Sequence, residues 1–156
     1  MNPLAESQSI EREILIAARP ETVWELLADP RQAVRWMGQS ATFDLRRGGR
    51  YRVEVIPGNV ASGEFVEIDP PRRLVYTWGW ETGRASASVP PGTTTLVFEL
   101  EPRGEGTLLR FSHRDLPNPE AAASHGHGWQ HYFERLAAVA AGADPGPDPW
   151  VTGDMK

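Results

Sequence analysis

Three of the four histidines crowd into one short stretch, residues 124–131. His127 and His131 are four residues apart, a spacing at which two imidazoles on one helical face can bind the same metal ion. A turn of 100° per residue places both opposite the apolar stripe of the predicted helix, which favours a solvated face and no metal site. His125 falls on the apolar stripe instead.

Candidate acid–base residues occur on predicted strands. The alternation of charged and apolar residues assigns His113 and Tyr76 to the inner face of a sheet. The same rule predicts that Glu64 points inward with Val66, and that Arg12 also points inward. These groups would be the few polar members of an apolar pocket, or charged residues at the edge of a packed core. In the pocket interpretation His113 and His125 form its polar end; in the other, backbone groups satisfy both imidazoles.

Other chemistries have no support in the sequence. The chain has no cysteine, which excludes disulfides, thiolate metal sites and a cysteine nucleophile. Neither a Gly-x-Ser-x-Gly elbow nor a glycine-rich phosphate loop is present. Sixteen Lys and Arg against twenty-one Asp and Glu give a net charge of −5, which argues against a nucleic-acid partner. We expect no cofactor.

The length and the apolar pattern bound the architecture. A chain of 156 residues has the size of one domain. No signal peptide and no run of about 20 apolar residues is present, so we expect a cytoplasmic protein without a membrane span.

The elements that must position these residues are marked by their turn and cap chemistry. Residues 9–16 read as a strand, and Pro20 and Pro30 each open a short helix. Residues 42–114 alternate repeatedly between short turns, which predicts antiparallel hairpins. Asn118 then caps a long helix that ends before Gly142.

The tail after this helix is rich in proline and glycine. We predict one domain over residues 8–142 and a tail over 143–156, in which residues 144–149 hold neither helix nor strand. Of the six tryptophans, Trp24 and Trp36 are expected to pack the two short helices, and Trp150 to anchor the tail. The other three, Trp78, Trp80 and Trp129, are expected to surround one interior space.

Four segments of the sequence occur in an order that is typical of a known group of proteins. The sequence resembles the START-like SRPBCC superfamily, in its branch related to the activator of heat-shock-protein-ninety ATPase. The resemblance covers about residues 8–142 and implies an α+β helix-grip fold, in which a curved antiparallel sheet wraps a C-terminal helix and leaves a cavity. The segments are VWELL (23–27), RWMG (35–38), GEFVEIDPPRRLVYTW (63–78) and GWQHYFERL (128–136).

The resemblance and the inward aromatic pattern together predict a non-catalytic protein that binds a small hydrophobic molecule. One alternative is a cyclase, dehydratase or hydrolase using His113, Glu64 or Tyr76. Another is a chaperone regulator, which we do not expect because no counterpart of the activator's extra N-terminal domain is present. Relatives often pair, so a homodimer is implied. The predicted ligand-binding residues are Tyr51, Glu64, Val66, Tyr76, Trp78, Trp80, Phe98, His113, His125, Trp129 and Phe133.

Overall fold

A curved, seven-stranded antiparallel sheet forms the framework of the computed structural model, which describes residues 8–152. Strands β2 to β7 follow one another as a meander, and β1 pairs with β7, giving the order β1-β7-β6-β5-β4-β3-β2. The strands are β1 Gln8–Ile16, β2 Ser40–Phe43, β3 Arg50–Ile56, β4 Asn59–Asp69, β5 Arg73–Trp78, β6 Thr94–Arg103 and β7 Gly106–Leu116.

Within the described residues there are four helices: α1 Pro20–Ala28, α2 Pro30–Ala33, α3 Pro119–Ala140 and α4 Pro149–Thr152. Proline occupies the first position of α1 and α2, where its missing N–H costs no hydrogen bond. The predicted starts of both short helices are therefore confirmed. Trp36 fixes the pair to one another, since its indole Nε1 donates to the carbonyl of Leu26 at 2.8 Å.

The long helix α3 is bounded by its own cap residues. The side chain of Asn118 accepts the backbone N–H of Ala121 at 2.8 Å and so satisfies a donor of the first turn. At the other end Gly142 adopts a φ of 91°, a left-handed conformation that glycine enters without steric cost. The sequence predicted both ends.

The inner face of the sheet and one face of α3 bury the same aromatic cluster. Trp129 and Phe133 of α3 are buried, and their rings stack at 5.4 Å. Phe111 of β7 lies 4.9 Å from Trp129 and 4.8 Å from Phe133, while Phe98 lies beneath them on β6. The arrangement is the predicted α+β helix-grip fold, with α3 held against the concave face of the sheet.

A bulge at Val66 interrupts the alternation of β4. The register opposes Phe65 to Tyr76 and Ile68 to Leu74, with a shift between Phe65 and Glu67. Phe65 is buried and Ile68 packs against the core, although they are three positions apart and strict alternation would place them on opposite faces. The extra residue thus reverses which positions of β4 face inward.

Two predicted orientations are wrong for this reason. Val66 is 48% exposed, and Glu64 is exposed opposite Arg50 of β3. The prediction counted alternate residues backward from Ile68 and did not allow for the extra residue of the bulge. It therefore assigned both residues to the wrong face. Arg12 does point toward the helix side of the sheet, where its Nη2 lies near Gly126 of α3, but it stays exposed because β1 is an edge strand.

The C-terminal tail packs on α3. Residues 144–148 are irregular, as predicted, but Pro149, also expected to be irregular, begins a single helical turn, α4. Trp150 stacks on His131 at a ring distance of 3.8 Å, which confirms its predicted role as an anchor. Among residues 8–152, no helix is long and apolar enough to cross a membrane.

Candidate ligand-binding site

His113 of β7 is completely buried, and both of its ring nitrogens are hydrogen-bonded. Nδ1 accepts the indole Nε1–H of Trp129 at 3.0 Å. Nε2 lies 2.9 Å from Oγ1 of Thr94, whose single proton is donated to the carbonyl of Trp78 at 2.7 Å. The hydroxyl must therefore accept from the imidazole, which makes His113 the neutral tautomer protonated on Nε2.

His125 of α3 is neutral in the opposite tautomer. Its Nε2 accepts the indole N–H of Trp80 at 3.0 Å, so the proton must be on Nδ1. Nδ1 then donates to the carbonyl of Ala121 at 2.8 Å. The sequence left open whether backbone groups would satisfy both histidines. One of the four partners is a backbone carbonyl, two are indoles and one is a hydroxyl.

These environments suppress charge on the imidazoles. Burial lowers the pKa of His113 to about 2, with a further contribution from the nearby His125 ring. Burial likewise lowers the pKa of His125, partly opposed by its hydrogen bond to Ala121. Because each imidazole lone pair already accepts an indole proton, neither histidine is free to act as a base.

Two tyrosines of the interior, Tyr51 and Tyr76, are also inert toward proton transfer. Burial raises the pKa of Tyr51, with a smaller contribution from Tyr76. Burial raises the pKa of Tyr76 as well. The hydroxyl of Tyr51 donates to the carbonyl of Thr77 at 2.7 Å, which links β3 to β5. Both phenols therefore stay protonated near neutral pH.

The ring of Trp78 is the centre of the aromatic interior. It lies 5.3 Å from the rings of both Trp80 and Trp129, and 6.3 Å from those of Tyr51 and His113. As predicted from the sequence, three tryptophans meet at one place. They fill most of the space that they surround.

A small opening, here called the α3–β3 cleft, remains between α3 and the sheet. Its volume is about 40 Å³, close to the share of one water molecule in the liquid, about 30 Å³. Sites for drug-sized ligands measure about 300–1,000 Å³. The structure does not show the roomy cavity that the resemblance implies, since aromatic side chains occupy the interior. The cleft is lined by Met37, Val55, Trp78, His125, Gly128, Trp129 and Tyr132.

Gly128 gives this cleft its shape on the helix side. A Cβ built at Gly128 would meet no atom within 4 Å, so the missing side chain leaves open space. At Gly126, one half-turn earlier, a Cβ would lie 3.1 Å from Nη2 of Arg12. A glycine costs about 1 kcal/mol against alanine inside a helix, and both lie in the first half of α3.

The structure brings nine of the eleven predicted site residues into the buried or half-buried interior. Glu64 and Val66 are the exceptions, because the bulge in β4 turns them to the outer face of the sheet. Glu64 on the outer face and His113 on the inner face lie on opposite sides of the sheet, so the predicted acid–base pair does not form. The residues that sequence reasoning missed are Met37, Val55, Thr94, Gly128 and Tyr132. Of these, Gly128 carried a signal, because a glycine within a helix needs a reason.

His127 and His131, the pair with metal-binding spacing, contact the C-terminal segment. His131 Nε2 lies 2.8 Å from Oδ1 of Asp148, and His127 lies 5.5 Å from the ring of Trp150. In residues 8–152 no group of three His, Cys, Asp or Glu side chains could hold a metal ion.

Residues 17–141 match the family described as activator of Hsp90 ATPase homolog 1-like protein. The chain belongs to this family. Membership agrees with the helix-grip fold and with the resemblance of the sequence to the SRPBCC superfamily. Among proteins of curated function, no sequence matches this chain.

Solved structures of family members and of more distant proteins share the fold. An AHSA1-like protein from Rhizobium etli is 43% identical, with a TM-score of 0.74 over 93% of this chain and 89% of that one. DynU16, a protein of the dynemicin biosynthetic locus, is 22% identical, with a TM-score of 0.73 over 89% of this chain and 49% of that one. The Aha1 dimer from Colwellia psychrerythraea is 18% identical, with a TM-score of 0.74 over 90% of this chain and 99% of that one. The two structures below 25% identity show a common fold alone.

Proposed function

We propose that this protein binds a small, largely apolar and aromatic molecule at the α3–β3 cleft and performs no reaction on it. The observation that carries the proposal is the cleft itself, with Gly128 facing open space on one side and Trp78 and Trp129 forming its wall. Apolar walls with a few polar groups are typical of small-molecule sites.

The buried polar groups support binding over catalysis. The lone pairs of His113 and His125 are occupied by indole donors, and burial disfavours the charged forms of Tyr51 and Tyr76. Glu64, the predicted carboxylate partner, lies outside the interior. A general acid or base would need a group with a free proton or lone pair facing the ligand.

The cleft must enlarge for a ligand to enter. Met37, whose flexible side chain readily repacks, is one of the residues that line the cleft. The segment that includes Trp150 passes beside the opening, since Trp150 packs on α3 and α4 contacts β3. Movement of these parts would enlarge the opening without breaking the histidine–tryptophan hydrogen bonds.

The comparisons bear on the fold. It is shared with a protein of the dynemicin biosynthetic locus. The Colwellia structure is a dimer, and our expectation of a homodimer here stays a prediction.

A substitution that fills the cleft tests the proposal. Wild-type protein is screened by native mass spectrometry and thermal shift against apolar aromatic compounds and lipids. In Gly128→Leu the new side chain enters the open space beside Trp129, so we expect ligands that stabilise the wild type to lose their thermal shift.

The matched control is Ala123→Leu, which places the same side chain at an exposed position of α3. It should bind ligands as the wild type does. The proposal is wrong if no compound stabilises the wild type, or if Gly128→Leu retains the full shift.

A further inference from the structure

Three indoles meet in the interior, and two of them donate their N–H groups to partners within the protein. Trp129 donates to His113 and Trp80 donates to His125, each at 3.0 Å. Nε1 of Trp78 is buried and has no hydrogen-bond partner among the described residues. An indole N–H can only donate, so this group needs an acceptor.

The unpaired donor belongs to a residue of the cleft wall. Trp78 is 2% exposed and lines the α3–β3 cleft. Buried donors in folded proteins are nearly always paired, and a lone one demands an explanation. The cleft at its present size exposes only apolar surface, so the N–H of Trp78 becomes accessible to a ligand only when the cleft enlarges.

We infer that the ligand carries a hydrogen-bond acceptor, a carbonyl or ether oxygen on an aromatic body, which receives the N–H of Trp78. This inference rests on the proposed binding function and narrows the class of ligand. A ligand hydroxyl acting as a donor finds no acceptor on the neighbouring histidines, because both of their lone pairs are occupied.

One other residue of the cleft wall, Tyr132, has an unpaired polar atom, but this atom is associated with the C-terminal segment. The buried hydroxyl of Tyr132 has no partner within residues 8–152. Its pKa is raised by burial first and then by the charge of Asp148, with Arg135 opposing. The hydroxyl is thus influenced by the C-terminal segment, and Trp78 is the donor that remains for the ligand.

A pair of probes that differ in one oxygen tests the inference. Tetralin and 1-tetralone share the same two-ring skeleton, and the ketone adds a single acceptor. Their dissociation constants are measured by calorimetry for the wild type and for Trp78→Phe, which keeps an aromatic ring and removes the N–H. The wild type should prefer the ketone over the hydrocarbon, and Trp78→Phe should reduce this preference by about twofold to tenfold. This is the range for one neutral hydrogen bond.

Two further measurements keep the outcome clear. Trp24→Phe makes the same change at a half-buried tryptophan of α1 that does not line the cleft, so it should leave the ketone preference of the wild type unchanged. In ¹⁵N-labelled wild type, 1-tetralone and not tetralin should move the Trp78 indole N–H resonance downfield, and this readout needs no variant to fold.

The results separate the two proposals. If neither probe binds and no compound of the larger screen binds, the proposed function fails. If both probes bind but their ratio is the same in wild type and Trp78→Phe, and the indole resonance responds equally to both, the acceptor inference is overturned while the binding function stands.

Discussion

The indole nitrogen of Trp129 donates to Nδ1 of His113 across 3.0 Å, joining the long helix to the strand beneath it. This contact decides the chemistry of the interior, because it consumes the lone pair that a catalytic histidine would use. A matching bond from Trp80 to His125 does the same on the helix side. Two histidines that could have been an acid–base pair are instead acceptors for aromatic donors.

The two histidines should be opposite neutral tautomers. His113 donates from Nε2 to Thr94, and His125 donates from Nδ1 to Ala121. Long-range ¹H–¹⁵N correlation spectra at pH 7 distinguish these forms by the chemical shifts of the ring nitrogens. A charged imidazolium at either position, or the reverse tautomer at His113, would contradict the hydrogen-bond assignment.

Acid should destabilise the fold through the buried imidazoles. His113 has a folded pKa of about 2 and an unfolded value near 6.5. Between these values the unfolded chain binds a proton that the folded protein does not, so stability is fully present above about pH 6.5 and falls as the pH drops toward 2. The slope is at most about 1.4 kcal/mol per pH unit for each such histidine. Urea unfolding between pH 7.5 and 4.5 measures it.

The variant His113→Leu isolates this contribution. It is less stable near neutral pH, because Trp129 and Thr94 lose their partner, but its stability should depend less steeply on pH. Carboxylates such as Glu81, whose pKa is lowered by hydrogen bonds and by nearby arginines against the opposing effect of burial, titrate in both proteins and cancel in the difference. Equal slopes in the two proteins would show that His113 is not held neutral.

Removing the indole donors one at a time should cost unequal amounts. Trp129→Phe leaves Nδ1 of the fully buried His113 without a donor, and we expect a loss of about 1–3 kcal/mol in unfolding free energy. Trp80→Phe affects the half-buried side of the cluster and should cost about 0.5–1.5 kcal/mol. Denaturant titration of both variants gives the order, and a larger loss in Trp80→Phe would reverse this ranking.

Local chemistry explains why the fold was predictable. The cap at Asn118 and the stop at Gly142 are encoded by residues next to the helix they bound, so they can be read from the chain alone. The face of Val66 could not, because the bulge that turns it outward is a property of how β4 pairs with β5. Alternation along one strand contains no information about that register shift.

The site was harder to predict than the fold. The pairing of His113 with Trp129 joins residues 16 positions apart on different elements, and the sequence offers no signal for the tautomer. The cleft volume depends on how large aromatic rings pack against each other. Period-two alternation places Trp78 and Phe98 on the inner face, but it is the same for a filled interior and an empty one.

The two glycines of α3 offer a matched pair of stabilising substitutions. Gly128→Ala should raise the unfolding free energy by about 1 kcal/mol, since alanine favours the helix and its Cβ enters open space. Gly126→Ala should gain less, because its Cβ would lie 3.1 Å from the guanidinium of Arg12, which must shift. Denaturant unfolding of both variants measures the difference. A loss of stability in Gly128→Ala would show that the cleft is already occupied by side chains.

The C-terminal segment should stabilise the domain without being needed for it to fold. A chain ending at Ala143 loses the stack of Trp150 on His131, the contact of His131 with Asp148, and the bond from Arg135 to the Gly146 carbonyl. We expect a cooperative unfolding transition with a free energy lower by about 2–4 kcal/mol, from one aromatic pair and the hydrogen bonds.

Single substitutions at Trp150 assign the aromatic part of that loss. Trp150→Ala removes the ring that packs on His131 and should cost about 1 kcal/mol, whereas Trp150→Phe keeps a ring there and should cost less. Thermal and denaturant unfolding of the three proteins measures each step. A shortened chain that fails to fold would refute the predicted domain boundary near residue 142. A shortened chain as stable as the full one would instead show that the tail does not pack on α3 in solution, because the contacts it loses could then not contribute to stability.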